Sequence, residues 1–178
     1  MKKIFLSILL SPLLISCAAP IGALTRDYSK NVRSYQTELS YESVWSKAID
    51  YFSERGVSIQ TVDKSSGLIA SGNYSFKNSV TVESSDGGFL DNDKWIVCDC
   101  KYLSTGVVIA PNVSNGSFNL RIKQENGKTL INVNFLPNEF YDNVVTGLGT
   151  FRVERQAFST GVFEKKLAEY IDPNIKKL

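Results

Sequence analysis

Cys17, Cys98 and Cys100 are the three thiols of a chain that has no histidine, and those two counts narrow the available chemistry. Without imidazole the usual general base at neutral pH is missing, as is every catalytic triad or metal site built on it. Walker, GxGxxG and GxSxG patterns are absent as well. Two-carboxylate hydrolysis stays formally open, yet no Asp or Glu is set apart by its neighbours. Asp63 and Lys64 fall between two strand patterns and read as a solvated turn. Asp86, Asp91 and Asp93, in the stretch 84–93, lack the spacing of an EF-hand and read as a polar loop tip. No enzymatic activity, metal or cofactor is expected.

The residues before Cys17 set its chemistry. Lys2 and Lys3 give a positive start, and residues 4–16, IFLSILLSPLLIS, are largely apolar. That run falls short of the about 20 residues that span a hydrocarbon core of ~30 Å as a helix, and Pro12 interrupts it. A charged start, a short apolar stretch and a small residue before the break describe a secretory signal. Its end, Leu14-Ile15-Ser16-Cys17, resembles the bacterial lipobox. That resemblance covers about the first 17 residues. It implies a diacylglycerol on the Cys17 sulfur, cleavage just before Cys17 and an acylated amino terminus. Cys17 is then a lipid anchor, neither disulfide partner nor nucleophile. Several acyl chains hold firmly, since each buried CH₂ contributes ~0.8 kcal/mol. Ala18 stands where inner-membrane lipoproteins often carry Asp, so the same resemblance implies the outer membrane, with the domain facing the periplasm. With Cys17 consumed, Cys98 and Cys100 cannot supply a Cys/His zinc site within one chain.

Cleavage also changes the charge balance. The full chain has 20 basic and 18 acidic residues, and loss of Lys2 and Lys3 leaves 18 of each. A chain near neutrality has no electrostatic footprint for nucleic acid. The organisation expected is a signal over 1–16, a lipidated start and flexible tether over 17–31, and one domain over 32–178. Hydrophobic content of 43% is too high for a disordered segment.

The domain has readable elements. In residues 40–56, Tyr41, Val44, Trp45, Ala48, Ile49 and Phe52 repeat at helical spacing, with Ser40 as N-cap and Gly56 at the C-terminal stop. Trp45 and Phe52 read as core rather than as a ligand box. Two strands follow: 57–62, with Val57, Ile59 and Thr61 on one face, and 68–76, with Leu68, Ala70, Gly72, Tyr74 and Phe76 on one face. In the strand WIVCDCKY, Cys98 and Cys100 share a face with Ile96 and Tyr102. Three readings of the pair stay open: buried reduced thiols, which the apolar company favours, a strained Cys98–Cys100 disulfide, and a redox site. Asn126-Gly127 is the preferred type I′ hairpin turn; with Glu125 opposite Lys128, it pairs Ile122 with Ile131, Leu120 with Val133 and Phe118 with Phe135. Residues 139–158 read as a long loop with a short strand or helical turn. Ser159 or Thr160 then caps a closing helix with Phe163, Leu167, Tyr170 and Ile171 as its stripe, ended by Pro173.

This order predicts an α+β domain, an antiparallel sheet packed by an N-terminal and a C-terminal helix in two layers. The stretch VWSKAIDYFSERGVSIQTVDKSSGLIASGNY is similar to the helix-grip domains of a lipoprotein component of the outer-membrane β-barrel assembly machinery. There a helix with an early Trp leads into a strand, an Asp-x-x-x-Gly turn and a second strand, matched here by Trp45, Asp63 and Gly67. The expectation is a membrane-anchored, non-catalytic accessory module that binds another envelope protein. The alternative is a binder of an apolar or lipid ligand between helix and sheet.

Overall fold

The computed structural model describes residues 24–28, 33–77, 79–84, 86–98, 113–138, 140–146 and 149–178. Its elements run β1 (Arg33–Thr37), α1 (Tyr41–Glu54), β2 (Ile59–Asp63), β3 (Leu68–Ser71), β4 (Tyr74–Lys77), β5 (Val80–Thr81), β6 (Ile96–Cys98) and β7 (Val113–Glu125). They continue with β8 (Lys128–Pro137), β9 (Phe140–Thr146), β10 (Gly149–Arg155), β11 (Ala157–Ser159), α2 (Val162–Ile171) and β12 (Lys176–Lys177). This is an α+β fold built on an antiparallel sheet, as expected.

Asn126 and Gly127 organise that sheet. Both have positive φ, 51° and 77°, as a type I′ turn requires. The turn sets β7 against β8 with Glu125 opposite Lys128, Ile122 opposite Ile131, Leu120 opposite Val133 and Phe118 opposite Phe135. All six apolar members are buried, because a strand alternates faces and one residue of slip would expose every one of them. From this hairpin the sheet extends in the order β12-β1-β8-β7-β3-β2, with β4 pairing β7 beyond the end of β3.

Both helices cover one face. The hydroxyl of Ser40 accepts from Ser43 N–H at 3.3 Å, and Gly56, with φ +62°, follows the last turn of α1. Val44, Ala48 and Phe52 face the core as the spacing requires, and Tyr51 joins them. In α2, Phe163, Leu167 and Ile171 are fully buried. Its N-cap is Gly161, with φ +89°, rather than Ser159 or Thr160. Thr160 Oγ1 still accepts from Val162 N–H, while Ser159 Oγ donates to the buried carboxylate of Glu164 at 2.6 Å. The helix ends at Ile171, just before Pro173. Helix α1 packs on α2 and β7, and α2 on β8 and β1.

Several expectations are corrected. A strand, β1, precedes α1 and puts Tyr35 in the core, pairing β8 on one side and β12 on the other. A three-stranded sheet, β11-β6-β5, stands beside the main one, with β5 and β6 parallel. The described residues of 139–158 are mostly strand rather than loop: β9 and β10 pair antiparallel from Gly149 opposite Thr146 to Arg155 opposite Phe140, and β11 follows. In β3 the buried residues are Ile69 and Ser71, not Leu68 and Ala70. The alternation resets at Gly72, which lies so close to Ser58 that a Cβ would sit 2.5 Å from its hydroxyl. Beyond the reset Phe76 is buried, as expected. In β2, a bulge between Ile59 and Thr61 breaks the predicted alternation. Within the segment read as a tether, residues 24–28 lie against the domain, with Tyr28 buried.

Candidate functional site

Cys17 and Cys100 lie outside the described residues. Cys98 is fully buried in β6 and disulfide-bonded, so the reduced reading does not hold for it; its partner also lies outside the described residues. Asp63 forms the solvated turn expected. Its carboxylate accepts from the Ser65 hydroxyl at 2.6 Å and the Ser65 N–H at 2.9 Å. Hydrogen bonds from the Ser65 and Ser66 hydroxyls, then from their backbone, pull its pKa down to about 2. Asp86 bonds the Ser84 hydroxyl and Gly88 N–H, and Asp91 accepts from Asp93 N–H, all within their own loop. Among the described residues no group of three His, Cys, Asp or Glu side chains is placed to hold a metal. Trp45 is half-buried against the core, stacked on Tyr41 at 6.0 Å.

A ligand between the closing helix and the sheet would need room that side chains already occupy. The Phe163 ring of α2 reaches the sheet and is surrounded by other rings. Centroid to centroid, Phe118 and Phe135 lie 4.8 Å away, Trp95 5.2 Å and Phe76 5.6 Å. A surface groove of about 450 Å³ opens at the start of α2, lined by Arg33, Thr160, Lys165, Glu169 and Lys177 among others. Its lining mixes the charged Arg33, Lys165, Glu169 and Lys177 with the apolar Tyr35, Val162 and Ile175, and it is open to solvent rather than enclosed.

Beneath that groove lies Glu164, fully buried. Burial raises its pKa above the usual carboxylate value, against the Ser159 hydrogen bond, its own backbone and the positive charges of Arg33 and Lys177. A raised native pKa means that the folded protein holds the proton more tightly than the unfolded chain. Stability therefore declines as pH rises from about 4.3, the unfolded value, through the native one. Glu164→Gln is expected to remove that decline. Melting curves of both proteins between pH 4 and 8 check it: parallel pH profiles would contradict the assignment.

Of the exposed large apolar side chains among the described residues, Ile59 and Val62 lie together on one sheet edge, while Leu90, Leu136 and Leu178 are scattered elsewhere. Strand β2 is exposed at every position, and among the described residues nothing pairs with its outer side. Register pairs Ile59 with Ser71 and Val62 with Ile69. Paired residues share a face, and Ser71 and Ile69 are both buried. The bulge thus places Ile59 and Val62 together on the helix-covered face, yet they remain 40% and 55% exposed because the sheet stops there. Helix α1 borders this shelf. Tyr41 Oη donates to Lys64 carbonyl at 2.6 Å, and Lys64 Nζ meets Glu42 at 2.6 Å, fixing α1 beside the β2–β3 turn. Tyr41, Trp45 and Ile49, four apart and half-buried, form one stripe of α1.

The two end strands of the main path, β12 and β2, differ in kind. Strand β12 is two residues long and both are lysine, a device that discourages strand addition. Strand β2 has one charge, Asp63, and that carboxylate is folded back on its own turn. Sequence reasoning finds the strand but groups Ile59 with Thr61, because a bulge leaves no mark in composition. No family model and no curated protein matches the chain.

Proposed function

We propose that this chain is a lipid-anchored envelope lipoprotein, non-catalytic, whose domain binds another envelope protein by adding that partner's extended segment to β2. The β2 edge carries this reading: an unpaired strand offers a row of backbone donors and acceptors, and Ile59 and Val62 give an apolar footing. A strand laid there would put alternate side chains toward the Tyr41–Trp45–Ile49 stripe, so the partner segment should be apolar at alternate positions and polar between them. The signal-like start, the lipobox resemblance at Cys17 and the absence of histidine support the anchored, non-enzymatic part. The rival, an apolar ligand between helix and sheet, has less support because rings fill that space.

A charge on the edge tests the proposal. Ile59→Lys with Val62→Lys alters exposed side chains only, so the melting temperature should stay nearly that of the parent. Co-purification of a partner from mildly cross-linked envelopes should be lost. Undiminished recovery of the same partner would sink the β2 reading.

A further inference from the structure

Glu83 is a buried carboxylate that the proposed function does not use. It lies between β5 and β6, where its backbone bridges to Phe89. Both carboxylate oxygens face the N-terminal arm. The Thr25 N–H donates to Oε2 at 3.0 Å, the Thr25 hydroxyl to Oε1, and the Tyr28 hydroxyl to Oε2 at 3.1 Å. These bonds join groups 55 to 58 residues apart in the chain. Arg26 lies over Gly87, close enough that a Cβ there would be 3.5 Å from both its Nε and Glu83 Oε1. The Tyr28 ring packs between Phe89, at 6.2 Å, and Phe158, at 6.0 Å.

We propose that Glu83 is a clasp: by holding Thr25 and Tyr28 it docks the arm on the small sheet and fixes how far the domain stands from its N-terminal anchor. The charge state suits the role. Burial opposes ionisation, but the hydrogen bonds from Thr25 and Tyr28 and the nearby Arg26 outweigh it and lower the pKa. Tyr28, in turn, is raised to about 12 by burial and by Glu83, so its hydroxyl keeps the proton it donates. The consequence for reach rests on the lipoprotein reading. With the clasp closed, the chain takes eight residue steps from Cys17 to Thr25, at most about 29 Å; with it open, it takes sixteen from Cys17 to Arg33, at most about 58 Å. Opening would double the leash and uncover Phe89 and Phe158.

Trypsin cleavage after Arg26 reads the clasp directly, in the chain from residue 17 onward carrying Cys17→Ser so that no lipid is involved. Thr25→Val with Tyr28→Phe removes the two hydroxyls that donate to Glu83, keeps the ring and leaves the domain untouched. Glu83→Gln weakens the other half. Cleavage after Arg26 should be slow in the parent and rise about tenfold or more in both variants, at unchanged melting temperature. Equal rates in parent and variants, or a matching rise at sites throughout the domain, would overturn the clasp. The anchor is read separately: failure of the full chain, made in a bacterium that processes lipoproteins, to float with phospholipid vesicles would remove the consequence for reach and leave the clasp standing.

Discussion

Phe163→Ala is expected to destabilise the domain by ~3–5 kcal/mol, the largest side-chain effect predicted here. Phe163 is 1% exposed and is the point where α2 meets the sheet. Its ring neighbours come from four elements or their flanks: Phe76 in β4, Trp95 before β6, Phe118 in β7 and Phe135 in β8. Alanine leaves a hole among Phe76, Phe118 and Phe135, which are themselves buried and braced, so collapse can fill little of it. Against a typical domain stability of about 5–15 kcal/mol, that loss leaves a marginal fold. Phe163→Leu keeps much of the apolar volume and forfeits the ring contacts, so it should cost roughly 1–2 kcal/mol. Urea denaturation of the three proteins checks the order. Equal midpoints for parent and alanine variant would mean that α2 does not seal the core.

Gly67→Ala should cost about 3 kcal/mol or more, from two independent causes. Gly67 has φ +73°, a conformation that penalises any Cβ, and its Cβ would fall 1.9 Å from the carbonyl oxygen of Ile122. That oxygen belongs to the central strand β7 and cannot move aside cheaply. Gly67 O also accepts from Ile122 N–H at 2.8 Å, so retreat of the turn would break a bond that ties β3 to β7. Gly127 separates the two causes: its φ is +77°, yet nothing lies within 4 Å of its Cβ position. Gly127→Ala should therefore cost only the backbone part, about 1–2 kcal/mol. If the two alanine variants melt alike, the close approach at Gly67 contributes nothing.

Such positions show what is legible in the sequence. The Asn126-Gly127 hairpin is readable to the residue because a turn needing positive φ and six alternating apolar side chains agree on one register. Helix α1 is readable from its stripe and Ser40 cap, although Tyr51 falls at the margin of the apolar face and escapes notice. The β9–β10 pairing escapes despite a signal: Val144, Val145 and Thr146 before Gly147-Leu148, and Phe151 and Val153 after Gly149, are strand formers around a Gly-x pair. The candidate edge is hidden for a different reason. Whether Ile59 and Val62 share a face depends on one extra residue at a bulge, and whether a strand is an edge depends on pairing far away in sequence. The Glu83 clasp is equally invisible, since Thr25, Tyr28 and Glu83 meet only once the chain has folded.

The central claim is that β2 is a docking edge for another envelope protein, and site-specific photo-cross-linking in living cells tests it most directly. A photoreactive phenylalanine analogue placed at Val62 or Ile59 should give a discrete adduct with one envelope protein. The same group at Lys176, on the opposite edge, should give none. Adducts from Lys176 with none from Val62 or Ile59, or none from any of the three, would contradict the claim.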